Sequence, residues 1–140
     1  MQFPYQRVPG ADPKAPWVPM PLLKVRLSHN DKHINVNALV DSGAASSLFH
    51  SSIAEALGLD LTSGIKQEFF GISGHAVEAY FHLVKFQIVG STDEHEIAIG
   101  FTDSDGVGAL LGQSDFFQRH QIKFERYKEQ MEIKAASNRK

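Results

Sequence analysis

The sequence predicts a mostly-β fold with two short helices, and three observations predict it. Segments in which apolar and polar residues alternate recur along the chain, the pattern of strands with one face buried. Glycines and the Asn30-Asp31 pair separate these segments at hairpin spacing. Only two stretches, SSIAEALGL and QSDFFQRH, read as helix, and both are short.

The first 21 residues hold all six prolines, Pro4, Pro9, Pro13, Pro16, Pro19 and Pro21. Proline fixes φ and removes a donor, so this stretch is expected to be an extended arm rather than a helix or a central strand. PKAPWVP contains a P-x-x-P spacing that an SH3-like groove would accept. The favoured expectation is a tether that packs on its own domain through Trp17.

LLKVRLSH then places Leu23, Val25 and Leu27 on one face. After the turn signal Asn30-Asp31, HINVNALV places Ile34, Val36, Ala38 and Val40 on one face. The two segments read as a β-hairpin. SSIAEALGL reads as a helix with a serine cap, an apolar face of Ile53, Ala54 and Leu57, and Gly58 as its stop. Residues 65–90 read as a long hairpin tipped by Gly71-Ile72-Ser73-Gly74, where glycine permits a tight turn. Its second strand changes phase between Leu83 and Val84, which predicts a bulge or cover on both faces. HEIAIGF is a further strand, TDSDGVG a loop and ALLG a short apolar strand end. QSDFFQRH reads as helical turns capped by Ser114, and QIKFE and QMEIK as a last strand pair.

The chain has 140 residues, the length of one domain, and 42% apolar residues, enough for a core. A formal charge of −2 with no basic cluster argues against a nucleic-acid partner. The absence of cysteine excludes disulfides, thiolate metal sites and cysteine nucleophiles. No apolar run approaches the ~20 residues that span a bilayer, and MQFPYQRVPGADPK lacks the apolar centre of a secretory signal. No membrane partner and a cytoplasmic location are therefore expected.

The chemistry concentrates in LVDSGAASSLF, residues 39–49. Asp41 ends an apolar strand and is followed by small residues. Burial raises a carboxyl pKa, and a second carboxylate beside it raises one of the pair further. Two such groups sharing one proton present an acid and a base together, as water attack on an amide requires.

Asp41-Ser42-Gly43-Ala44 resembles the D-[ST]-G-A loop of retropepsin-like aspartic proteases, and the helix over Ser52–Leu57 ending in Gly-Leu resembles their bacterial single-domain members more than the viral ones. Ala109-Leu110-Leu111-Gly112 before QSDFFQRH resembles that family's second mark, two apolar residues and a glycine ahead of a short helix. The order of strand pair, D-S-G-A, glycine-tipped hairpin, strand and L-L-G plus helix covers roughly Leu22 to Ile133. The resemblance implies a closed acid-protease barrel over 22–134, with 1–21 as the arm and 135–140 as a flexible tail. It implies Asp41 as the catalytic residue, with Ser42, Gly43 and Ala44 supporting it. Phe70, Gly71, Ile72, Ser73 and Gly74 would form a flap over substrate, and Leu110, Leu111 and Gly112 would stand behind the site. Phe69, Phe70, Ile72 and Leu110 are candidates for an apolar lining. Ser42 replaces the commoner threonine and keeps its hydroxyl.

D-S-G occurs once, so one chain carries one such aspartate. The expected partners are a second copy, in a two-fold homodimer that pairs the two Asp41 side chains, and an extended polypeptide substrate. The expected activity is aspartic endopeptidase, with no cofactor and no metal. The alternatives are a silent peptide-binding or scaffolding module of the same fold and a structural dimerisation domain. Other readings are weaker. Ser46 and Ser47 lack a Gly-x-Ser-x-Gly elbow. His29 and His33 fall on a turn and a strand, and Asp93 to Glu96 read as a solvated edge. Asp103-Ser104-Asp105-Gly106 lacks the distal glutamate of a calcium loop.

Overall fold

The computed structural model describes residues 1–70, 74 and 76–136, with Phe70 described by its backbone only. Among the described residues the chain runs through twelve strands. They are β1 (Gln2–Pro4), β2 (Gln6–Asp12), β3 (Ala15–Met20), β4 (Leu22–His29), β5 (Lys32–Val40) and β6 (Leu48–His50), then helix α1 (Ser51–Ala56). They continue as β7 (Ile65–Phe70), β8 (Ala76–Ile88), β9 (Glu94–Thr102) and β10 (Ala109–Leu111). A second helical segment, Gln113–Phe117, leads to β11 (His120–Glu125) and β12 (Gln130–Ala135). The fold is mostly β with two short helices, as the sequence predicts.

Seven strands form the main sheet in the order β4-β5-β10-β6-β9-β8-β7. β8 also pairs with β4, from Val25↔Ile88 to Ser28↔Lys85, so the ladder meets its first strand again. β4 and β5 form the expected hairpin, with Asn30 at φ 55 in its turn. The predicted apolar faces turn inward: Leu23, Val25, Leu27, Ala38, Val40, Ile97, Ile99 and Phe101 are buried, and Ile34 and Val36 pack against them. Burial of such side chains, about 1.5–3 kcal/mol each, holds the strands together.

The phase change in β8 has a different cause from a bulge, since β8 pairs with β9 in unbroken register from Tyr80↔Phe101 to Gln87↔Glu94. On its other edge β8 pairs with β7 up to Phe81 and with β4 from Lys85. Leu83 falls between the two partners and is exposed, while Ala79 is buried and Tyr80, Phe81 and His82 are half-buried.

Both predicted caps are corrected. α1 starts at Ser51, so its cap is His50, whose Nδ1 accepts Ser52 N at 3.1 Å. The Ser51 hydroxyl instead donates to Asp103 Oδ1. Gly58, at φ 72, does end the helix. The second helical segment is capped by Gly112, and Ser114 lies inside it with ψ 131. Asp115 then turns to φ 69, and its Oδ2 accepts Ala98 N at 2.7 Å. That bond offsets the strain of a left-handed non-glycine residue.

The proline-rich stretch is built of strands. β1 pairs with β12, which pairs with β11. β2 and β3 form a separate hairpin, and Trp17, expected as its anchor, is 58% exposed. The hairpin is held at its base instead: Gln6 Nε2 donates to Leu22 O, and Arg7 pairs with Glu129 at 3.2 Å. Prolines are tolerated here because these strands lie at sheet edges. Ala135, expected to begin the tail, is still in β12, and Ala136 N donates to Arg119 O at 2.8 Å.

Candidate active site

β5 and β6 are joined by residues 41–47, and β10 lies between them. It pairs parallel to β5, Leu110↔Leu39 and Leu111↔Val40, and antiparallel to β6, Ala109↔Phe49 and Leu110↔Leu48. A strand inserted between the two arms of a loop fixes the loop's ends. Asp41 N donates to Leu111 O at 3.0 Å, which carries the parallel pairing one residue beyond Val40. The small residues behind Asp41 let the chain turn at once: Ala44 N donates back to Asp41 O at 3.1 Å.

The far side of the loop is tied to the start of the second helical segment. Gln113 N donates to Ala44 O at 2.8 Å and Ser114 N to Ala45 O at 3.0 Å. Gly112 passes so close that a Cβ there would lie 2.5 Å from Ser46 O and 2.7 Å from Ala44 O. Only glycine fits. Gly112 N donates to the hydroxyl of Ser47, which is fully buried, at 3.1 Å.

The carboxyl of Asp41 is half-buried, and its Oδ1 accepts Gly43 N at 2.9 Å. That backbone donor fixes the rotamer of the side chain. Ser42 and Gly43 are exposed and Ala44 is half-buried, so this end of the loop faces outward from the single chain. Gln113 Nε2 donates to Ser42 O at 2.7 Å.

The structure therefore brings Asp41, Ser42, Gly43 and Ala44 together with Leu110, Leu111 and Gly112. Leu111 is buried and Leu110 half-buried. Phe69 lies on β7 with its ring 5.9 Å from that of Phe81. Gly74 stands at φ 80 with open space around it, and Gly71, Ile72 and Ser73 lie outside the described residues. Sequence reading missed Gln113, Ser47 and Asp115. The polar residue after L-L-G was the available signal for the first, and nothing local marked the other two. Among the described residues, no three His, Cys, Asp or Glu side chains are grouped to hold a metal ion. No helix among them is long and apolar enough to cross a membrane.

The sequence model of the aspartyl protease family matches residues 25–114, which contain the Asp41 loop, strands β5 to β9 and β10. Among curated proteins, none matches the chain in sequence. Among solved structures, the chain is similar to a retropepsin-like aspartic protease from Rickettsia conorii. The TM-score is 0.61 and the identity 18%, over 95% of this chain and 98% of that one. It is also similar to EIAV protease in complex with the inhibitor HBY-793, with TM-score 0.53 and 22% identity, over 71% and 86% of the two chains. The retroviral protease-like domain of Ddi1 from Leishmania major gives TM-score 0.51 and 22% identity, over 74% and 81%. At these identities the likeness is one of fold, while the family match covers most of the chain. The chain belongs to the aspartyl protease family, and its fold is similar to that of retropepsin-like aspartic proteases.

Proposed function

We propose that the protein is an aspartic endopeptidase that cuts extended polypeptides as a homodimer, with Asp41 of each subunit meeting at the two-fold axis. The observation that carries this is the placement of one D-S-G carboxylate per chain on a loop that is tied from behind and exposed in front. A self-complementary contact at this face is the commonest way to bring two copies of one residue together. The return of the strand ladder through β4 and β8 supports reading the fold as a closed barrel.

The mechanism follows from pairing two carboxyls. At about 3 Å apart they do not both ionise, so they hold one proton between them. They titrate as a unit, and neither pKa belongs to one residue. The ionised carboxylate takes a proton from a bound water. The protonated carboxyl donates to the scissile carbonyl oxygen as the water oxygen attacks the carbon. The resulting gem-diol collapses as the newly protonated carboxyl gives its proton to the leaving amine nitrogen and the other, now ionised, carboxylate takes one from a diol hydroxyl, which leaves the pair with one proton again. Acid–base groups placed in this way contribute about 10²–10⁴-fold. In each subunit, Gly43 N–H holds Asp41 in its rotamer through the 2.9 Å bond. The β7–β8 hairpin, with its tip at residues 70–74, serves as the flap: it adds main-chain bonds to the substrate strand and excludes water. Ser42 supports the loop across the axis.

The test is cleavage of a peptide library by the wild type and by Asp41→Asn from pH 3 to pH 7, with sedimentation of both. Activity should vanish in the variant while the dimer remains. Equal turnover by Asp41→Asn would overturn the proposal. Peptide binding without turnover by the wild type would assign the chain to a silent module of the same fold.

A further inference from the structure

We propose that Gln113 is a positioning residue that sets the Asp41 carboxyl through the peptide unit joining Ser42 to Gly43; this rests on the reading of Asp41 as the catalytic acid. That peptide is held at both ends. Gln113 Nε2 donates to its carbonyl, Ser42 O, at 2.7 Å. Its own N–H, on Gly43, donates to Asp41 Oδ1 at 2.9 Å. The peptide is trans, so the C=O and N–H point in opposite directions and lie in line between the Gln113 amide and the carboxylate.

Two consequences follow. A peptide plane bonded at one end can rotate, and one bonded at both ends cannot, so Gln113 stops the N–H from swinging away from Asp41. Donation into the carbonyl also polarises the amide and strengthens the bond its N–H makes, since hydrogen bonds in a chain reinforce one another.

Gln113 is well placed for this. Its backbone is fixed by the bond from Gln113 N to Ala44 O at 2.8 Å, directly after a glycine that admits no side chain. The side chain therefore reaches Ser42 from a fixed origin. Gln113 is exposed, so it fills no core volume, and its replacement opens no cavity.

The experiment compares the full chain with Gln113→Leu, Gln113→Lys and Asp41→Asn, by peptide turnover against pH and by the NMR shift of the Gly43 amide proton. Gln113→Leu removes the donor at similar size. We expect kcat to fall about tenfold with KM within about twofold, the scale of one lost hydrogen bond. The profile of turnover against pH should depart from that of the wild type, and the Gly43 proton should move upfield as its bond to the carboxylate weakens. Gln113→Lys restores a donor and should recover kcat and the Gly43 shift. Should Gln113→Leu not fold, Gln113→Glu carries the same test, because it presents an oxygen to the Ser42 carbonyl at unchanged size. Wild-type profile and Gly43 shift in the donor-free variants, beside an inactive Asp41→Asn, would overturn the role of Gln113 alone. An active Asp41→Asn would overturn the catalytic reading, and the Gly43 shift would still report whether Gln113 holds the peptide.

Discussion

The Asp41 loop and the β2–β3 hairpin leave the main sheet side by side, where Val40 N donates to Pro21 O at 3.0 Å. The loop is tied by residues far away in sequence: Leu111, Gly112, Gln113 and Ser114 all bond to it. The hairpin is bonded to the body only near its base and takes its shape from its own sequence. Gly10 marks the irregular register between Pro9 and Asp12, where a Cβ would lie 2.6 Å from Val18 Cγ2. A short ribbon can be specified locally, whereas a reactive carboxyl is held in one place only by contacts from several directions.

The comparison breaks first at Gly112. Gly112→Ala forces a Cβ against two loop carbonyls, and we expect a loss of about 3 kcal/mol in denaturant unfolding together with loss of peptide cleavage. A loss below about 1 kcal/mol would mean that the loop is free to give way. Ser47→Ala leaves the buried Gly112 N–H without its acceptor, and should lower stability by about 1–3 kcal/mol in the same measurement.

A smaller effect sharpens the other side of the comparison. β1, which precedes the hairpin, helps to line a cleft of about 200 Å³ with Met1, Phe3, His95, His120 and Ile133. Burial, then the Arg119 and His120 charges, push His95 below its usual range, while Asp93 and Asp115 pull the other way. The unfolded chain therefore binds a proton more readily than the native one. Stability should be complete above about pH 6.5 and fall as pH drops from there towards the lower native pKa. Thermal melts of His95→Phe should lack that part of the decline, and an unchanged pH dependence would remove His95 as its source. Smallest of all, Trp17→Ala should change stability by less than about 0.5 kcal/mol, since the side chain is 58% exposed. A larger loss would show that the hairpin is anchored through its tryptophan after all.

Much of the fold was legible because its rules are local. Alternation marked β4, β5 and β9, Asn30-Asp31 marked the turn, and Gly58 marked the end of α1. What could not be read depended on distant partners. Pro4 looked unfit for a ladder, yet β1 pairs with β12 through edge positions, and Met1 N donates to Ile133 O across 132 residues. The phase change in β8 left a bulge and cover on both faces as alternatives, because the sequence does not show a strand changing partners. QSDFFQRH looked like one helix because nothing announces that Asp115 will turn to φ 69 to reach Ala98 N. At the site, D-S-G-A and L-L-G were visible as motifs, and their joining was inferred from resemblance. Gln113 carried only its place after L-L-G as a signal, because an exposed glutamine is ordinary until its amide is seen on Ser42 O.

The separation of 71 residues between Gln113 and Ser42 bears on when the loop takes shape. Pairings this remote form late, after the intervening chain has been made. A nascent chain on the ribosome that has exposed Asp41 still lacks β10 and the glycine behind it. The carboxyl is then an ordinary acid on an unsupported turn, and the order of synthesis by itself delays the assembled loop until most of the polypeptide has emerged.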